Sequence, residues 1–110
     1  MSLTKIKGTL VDLSHFGTVV ANQPEIEEWQ VVLRKKGGDQ FGLDELLLRL
    51  CVKDGVDREA FESRLRADVA EATEVSPNVI EFLELSEMLQ VLGMETEMKE
   101  KRYLDERPTH

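Results

Sequence analysis

The chain is poor in the residues that do most covalent and metal chemistry. It holds one cysteine, Cys51, and two histidines, His15 and His110. A single thiol excludes an internal disulfide. Cys51 lies in the apolar run over residues 46–52 and reads as a small packed hydrophobe. The histidines stand far apart, so no metal-ligand spacing exists and no metal site is expected. His15 reads as an exposed residue in the first turn of a helix. A catalytic cysteine would need a base beside it, and no pattern supplies one. Long hydrophobic runs are also missing. None reaches the ~18 residues a membrane span needs, and the N-terminus lacks the apolar core of a signal peptide. A cytoplasmic protein with no membrane partner is expected. Positive charge is scarce as well, with 14 basic against 22 acidic side chains and a net charge of −8. That balance repels phosphate backbones, so nucleic-acid binding is not expected.

What is present suits a small globular body. The 110 residues make one domain, 1–110, able to bury somewhat under roughly 70% of its unfolded surface. The apolar fraction of 41% is ordinary for such a domain. Residues 5–11 read as a strand, with Ile6, Gly8 and Leu10 on one side. Asp12 can cap a following helix that carries Phe16, Val19 and Val20, and Asn22 and Gln23 close it before Pro24. Residues 26–35 form the clearest strand, with Trp29, Val31 and Leu33 on one face and Gln30, Val32 and Arg34 on the other. A glycine-rich loop over 36–42 leads to a partner strand over 44–52, where Leu46, Leu48, Leu50 and Val52 share a face. The two should pair antiparallel. Asp57 caps a long helix to about Thr73, with an apolar stripe through Ala60, Phe61, Leu65, Val69 and Ala72. Residues 79–83 form a short strand, and Ser86 caps a last helical turn over 87–92, ended at Gly93. The order strand, helix, strand, strand, helix, strand predicts an α+β fold: a ferredoxin-like βαββαβ two-layer sandwich, mainly antiparallel, with both helices on one face. A C-terminal arm over 94–110 follows. The chain opens straight into its first strand, which suggests a larger parent upstream.

Three segments invite a functional reading. Lys7-Gly8-Thr9 puts a glycine inside a strand, which marks either a bulge or the close approach of a ligand. Gly37-Gly38 lacks the spacing and the Lys-Ser/Thr ending of a phosphate loop and reads as a plain hairpin loop. The tail, Lys99-Glu100-Lys101-Arg102-Tyr103-Leu104-Asp105-Glu106-Arg107, mixes cations and acids too densely for core. It is either a solvated end, which composition alone favours, or a mobile arm that carries one ammonium to an anionic substrate.

Several stretches resemble one enzyme family over about residues 5–107. Residues 5–11, Lys5-Ile6-Lys7-Gly8-Thr9-Leu10-Val11, are similar to the strand that follows the domain hinge of the adenylate-forming acid–CoA ligases of the phenylacetate–CoA ligase type. Pro24-Glu25-Ile26-Glu27-Glu28-Trp29-Gln30-Val31-Val32 resembles that family's P-x-V-x-E-(Y/W)-Q-V-V strand, and Leu43-Asp44-Glu45-Leu46 its L-D-E-L/M strand opening. The tail resembles the terminal lysine motif, with Met98 where the family has glycine. The resemblance implies a mobile C-terminal domain whose neighbour, a large N-terminal domain, binds ATP with magnesium and a small-molecule carboxylic acid. It implies Lys99 as the lysine of acyl-adenylate formation. It further implies that Lys7, Gly8 and Thr9 line the approach of coenzyme A and that Arg102 is a phosphate-facing cation. No cofactor is expected in this chain alone, and the isolated domain should be inactive. The alternative is a free-standing ferredoxin-like regulatory or dimerisation domain that binds a small metabolite. A domain severed from its neighbour can also form a homodimer through the surface it normally covers.

Overall fold

In a computed structural model, which describes residues 3–93 and 101–108, the local signals resolve into nine principal elements. In chain order they are β1 (Leu3–Ile6), β2 (Thr9–Asp12), α1 (Leu13–Ala21), β3 (Ile26–Lys35), β4 (Asp44–Val52), α2 (Arg58–Thr73), β5 (Val79–Phe82), α3 (Leu85–Val91) and β6 (Tyr103–Asp105). Among the described residues, no helix is long and apolar enough to cross a membrane.

The strongest alternation builds the centre. β3 and β4 pair antiparallel, with Val31 opposite Leu48, Leu33 opposite Leu46 and Trp29 opposite Leu50. These side chains share one face because strand residues alternate. On that face they bury against Phe16 and Val20 of α1 and against Phe61, Leu65 and Val69 of α2. The α2 residues recur every four positions, so one stripe of the helix reaches the sheet. Both helices start as the sequence predicts. The Asp12 carboxylate accepts from the Ser14 and His15 N–H groups, and the Asp57 carboxylate accepts from Ala60 N–H. His15 is exposed. α3 starts two residues early, behind Glu84 and without a side-chain cap, so Ser86 does not serve. It packs Met88 onto the opposite face, against Cys51, which is 5% exposed.

The result is the expected α+β, ferredoxin-like two-layer sandwich, with α1 and α2 on one face. The four-stranded sheet runs β5-β4-β3-β6, with the two outer strands parallel to their neighbours.

Residues 5–11 are not the single strand expected. They reverse direction at Lys7-Gly8, where both residues have positive φ, 51° and 81°. Ile6 then pairs with Thr9, a two-residue turn of the kind that matches strand twist. The alternation fails at the reversal: Ile6 is fully buried while Leu10 is 65% exposed. β1 and β2 form a small sheet of their own. The edge beside β3 is taken instead by β6, through Val31–Tyr103, Val32–Leu104 and Leu33–Asp105 pairs. Part of the charged tail is thus the fourth strand of the sheet rather than a solvated end.

Candidate functional site

The hairpin turn is the part of the expected site that the structure builds most fully. Two-residue turns with both φ values positive favour glycine, and Gly8 supplies one of the two positions. A Cβ added at Gly8 would meet nothing within 4 Å, so the glycine answers to backbone conformation and not to crowding. Lys7 takes the other position, and its N–H donates to Asp44 Oδ2 at 3.0 Å. Thr9 begins β2 and is exposed.

Asp44 opens β4 and gathers three partners. Besides Lys7 N–H, its Oδ1 accepts from Lys35 Nζ at 2.8 Å, and its Oδ2 lies 3.4 Å from Arg107 Nη1. Arg107 reaches back across nearly the whole chain: its Nη1 donates to the carbonyl of Lys5 at 2.8 Å, 102 residues away. Its Nε and Nη2 donate to the Asp105 carboxylate, both at 2.9 Å. Burial alone would raise the Asp44 carboxyl, but Lys35, the Lys7 N–H and Arg107 outweigh it and hold it below the usual range. Asp105 is likewise held low, chiefly by the Arg107 guanidinium, which is itself pushed up by that carboxylate. These are mutually neutralised ions, not a general acid and base poised for proton transfer near neutrality. Beside the turn lies a cavity of about 480 Å³ whose wall includes Lys7, Lys36, Asp44 and Asn78.

Arg102 lies elsewhere. Its Nη1 donates to the Trp29 carbonyl at 2.8 Å and pairs with Glu28 Oε2 at 2.6 Å, and its guanidinium sits 5.0 Å above the Trp29 ring. Arg102 immediately precedes β6 and Arg107 follows it, so the two lie on opposite sides of the strand's length. The structure therefore brings Arg107, and not Arg102, to the Lys7-Gly8-Thr9 turn. Lys99 lies outside the described residues.

Gln30, which alternation places on the strand face shared with Val32 and Arg34, clasps the chain where the tail returns. It is fully buried. Its Nε2 donates to the carbonyls of Val91 and Lys101, both at 2.9 Å, while its Oε1 accepts from Arg49 Nη1 at 2.9 Å. Lys101 N–H also donates to the Leu92 carbonyl at 2.9 Å. The chain on either side of residues 94–100 is thus pinned together on β3. No sequence signal could have found Asp44, Arg107 or Gln30 in these roles, since each also depends on a remote partner (Lys7, Lys5, Val91 and Lys101), 37 to 102 positions away.

Other chemistry has little to work with. Burial, with the help of nearby carboxylates, pushes the Cys51 thiol up, which disfavours the nucleophilic thiolate. Among the described residues, no group of three or more His, Cys, Asp or Glu side chains could hold a metal ion.

No protein-family model and no curated protein sequence matches the chain. Solved structures do. A domain of phenylacetate-coenzyme A ligase from Bacteroides vulgatus ATCC 8482 superposes with a TM-score of 0.73 at 12% identity, over 99% of this chain and 96% of that one. 2-Hydroxyisobutyryl-CoA ligase, in complex with 2-HIB-AMP and CoA in the thioesterification state, gives 0.68 at 18% identity over 94% of this chain. The same ligase in the postadenylation state with 2-HIB-AMP gives 0.62 at 17% identity over 96% of this chain. The match spans only 21% and 22% of those two ligase chains. At such identities, what this chain shares with the acid–CoA ligase structures is the fold of one of their domains.

Proposed function

We propose that this chain is the mobile C-terminal domain of an acid–CoA ligase of the phenylacetate–CoA ligase type. The intact enzyme would use ATP to convert a carboxylic acid to an acyl-adenylate with release of pyrophosphate. It would then transfer the acyl group to the thiol of coenzyme A with release of AMP. The observation that carries the reading is the near-complete mutual coverage with an isolated phenylacetate-coenzyme A ligase domain, 99% and 96%. The motifs in residues 5–11, 24–32, 43–46 and 99–107 agree with it independently.

The residues suit the two steps. Adenylation brings a carboxylate against a polyphosphate, and a compact ammonium on a flexible stem lowers that repulsion. Lys99 is the residue assigned to this, with ATP, magnesium and the acid bound by the N-terminal domain. Arg102 is the residue assigned to face the nucleotide phosphates, and Glu28 and the Trp29 carbonyl orient its guanidinium where the tail returns to the sheet. In the second step the Lys7-Gly8-Thr9 turn is presented to coenzyme A, and a turn without a side chain at Gly8 leaves room for an extended thiol arm.

The test is Lys99→Ala in the ligase that carries this domain. Acyl-adenylate formation, followed by pyrophosphate exchange, should fall by about a hundredfold or more. Thioester formation from supplied acyl-adenylate should be retained. Equal loss in both half-reactions, or loss in neither, removes the assignment. The 110-residue chain alone should release no pyrophosphate from ATP and acid.

A further inference from the structure

The ion cluster at Asp44 joins three parts of the chain that are remote in sequence. The N-terminal hairpin joins the body where β2 runs into α1 and buries Ile6 and Val11 in the core, but it forms no strand pairs with the main sheet. A hairpin of this size is marginal by itself. Two polar contacts hold the turn: Lys7 N–H to Asp44 at the reversal itself, and Arg107 to the carbonyl of Lys5 on β1 just before it. Both belong to one network, because Arg107 also faces Asp44. The arginine fork is itself pre-set by Asp105, whose backbone is fixed in β6 opposite Leu33. Lys35 holds the other Asp44 oxygen from the end of β3. The side chains of Arg107 and Asp44 are only 17% and 12% exposed, so the pairing is shielded from screening by salt.

We propose that Asp44 and Arg107 form a latch that fixes the direction of the Lys7-Gly8 turn, and that Arg107 is a positioning residue for the coenzyme A step. The second half of this statement rests on the proposed function; the first does not. The chain end and the hairpin must both be in place for the latch to close, so the C-terminal strand sets the geometry of the N-terminal finger. A turn left to pivot would misplace the backbone that lines the thiol's path, and small misplacements are costly in catalysis.

The experiment uses Arg107→Met. In the 110-residue chain, amide exchange measured by NMR should quicken at Lys7 by about tenfold, while the amides of Val31 and Leu48 in the central strands stay protected. Unchanged exchange at Lys7 overturns the latch. Asp44→Asn keeps an acceptor for Lys7 N–H and loses the ionic partners, so it should quicken exchange less. It serves as the probe if Arg107→Met does not fold, and an unchanged Lys7 amide in it overturns the latch equally. In the intact ligase, Arg107→Met should slow thioester formation from supplied acyl-adenylate roughly tenfold to a hundredfold. Pyrophosphate exchange should be spared, and Arg107→Lys should restore part of the lost rate. Equal loss in both steps, or none, overturns the positioning role. If Lys99→Ala shows no asymmetry while the Lys7 amide responds as expected, the ligase reading fails and the latch stands.

Discussion

Gly8 shows how one residue can be read for the wrong reason. A glycine within an alternating pattern suggests a strand with a defect, yet its φ of 81° makes it half of a reversal. Replacing it by alanine meets no atom within 4 Å, so the cost is conformational. Gly8→Ala should destabilise the chain by about 1–2 kcal/mol in urea unfolding, the penalty of a left-handed backbone for a residue with a Cβ. Gly17 is the converse case. It is buried in α1, and an added Cβ would overlap the Tyr103 hydroxyl and lie 2.8 Å from Trp29 Cη2. Gly17→Ala should cost about 1–3 kcal/mol through overpacking. Tyr103→Phe, which removes the nearest atom, should recover part of that loss when the two changes are combined.

At the scale of elements, β3 is the organising unit. One face meets α1 and α2, the other carries Gln30 to the end of α3 and to the start of β6. Gln30 satisfies two carbonyls and one guanidinium from a fully buried position, so its amide cannot be replaced by a hydrocarbon without leaving polar groups unpaired. Gln30→Leu, close in volume, should lower stability by about 1–3 kcal/mol in thermal or denaturant melts. The effect on local order should be greatest at Lys101 N–H, whose bond to the Leu92 carbonyl lies beside the clasp. β6 owes its place to the same strand: three parallel pairs to Val31, Val32 and Leu33, a T-shaped contact of Tyr103 with Trp29 at 5.6 Å, and the Arg102 contacts. Composition alone could not place it, because its flanking arginines find partners on β3 and β4: Glu28 for Arg102 and Asp44 for Arg107.

For the molecule as a whole, carboxylates link the two chain ends to the body. Asp44 and Asp105 both hold their protons less tightly folded than unfolded. Between their lowered values and the ordinary aspartate value near ~3.9, the unfolded chain binds more protons, so acid favours unfolding. Stability from these groups is therefore complete above about pH 4–5 and is lost as the pH falls through the folded values. Melting temperatures followed downward from pH 6 should drop in this range, and Asp44→Asn should flatten the drop while lowering stability at neutral pH. A parallel profile for the variant and the natural chain would count against Asp44 as the linked group.

The sequence by itself determined what depends on neighbours a few positions apart. β3, β4 and α2 run Ile26–Lys35, Asp44–Val52 and Arg58–Thr73, as alternation, a capping aspartate and a four-residue apolar spacing require. The core face of the central hairpin follows from the same periodicity. Tertiary structure decided the rest: the reversal at Lys7-Gly8, the burial of Gln30, the strand made from a charged tail, and the meeting of Asp44 with Arg107. Each depends on an acceptor or counter-ion supplied from a distant part of the chain, and a polar group's fate is set by the partner it finds and not by its own pattern.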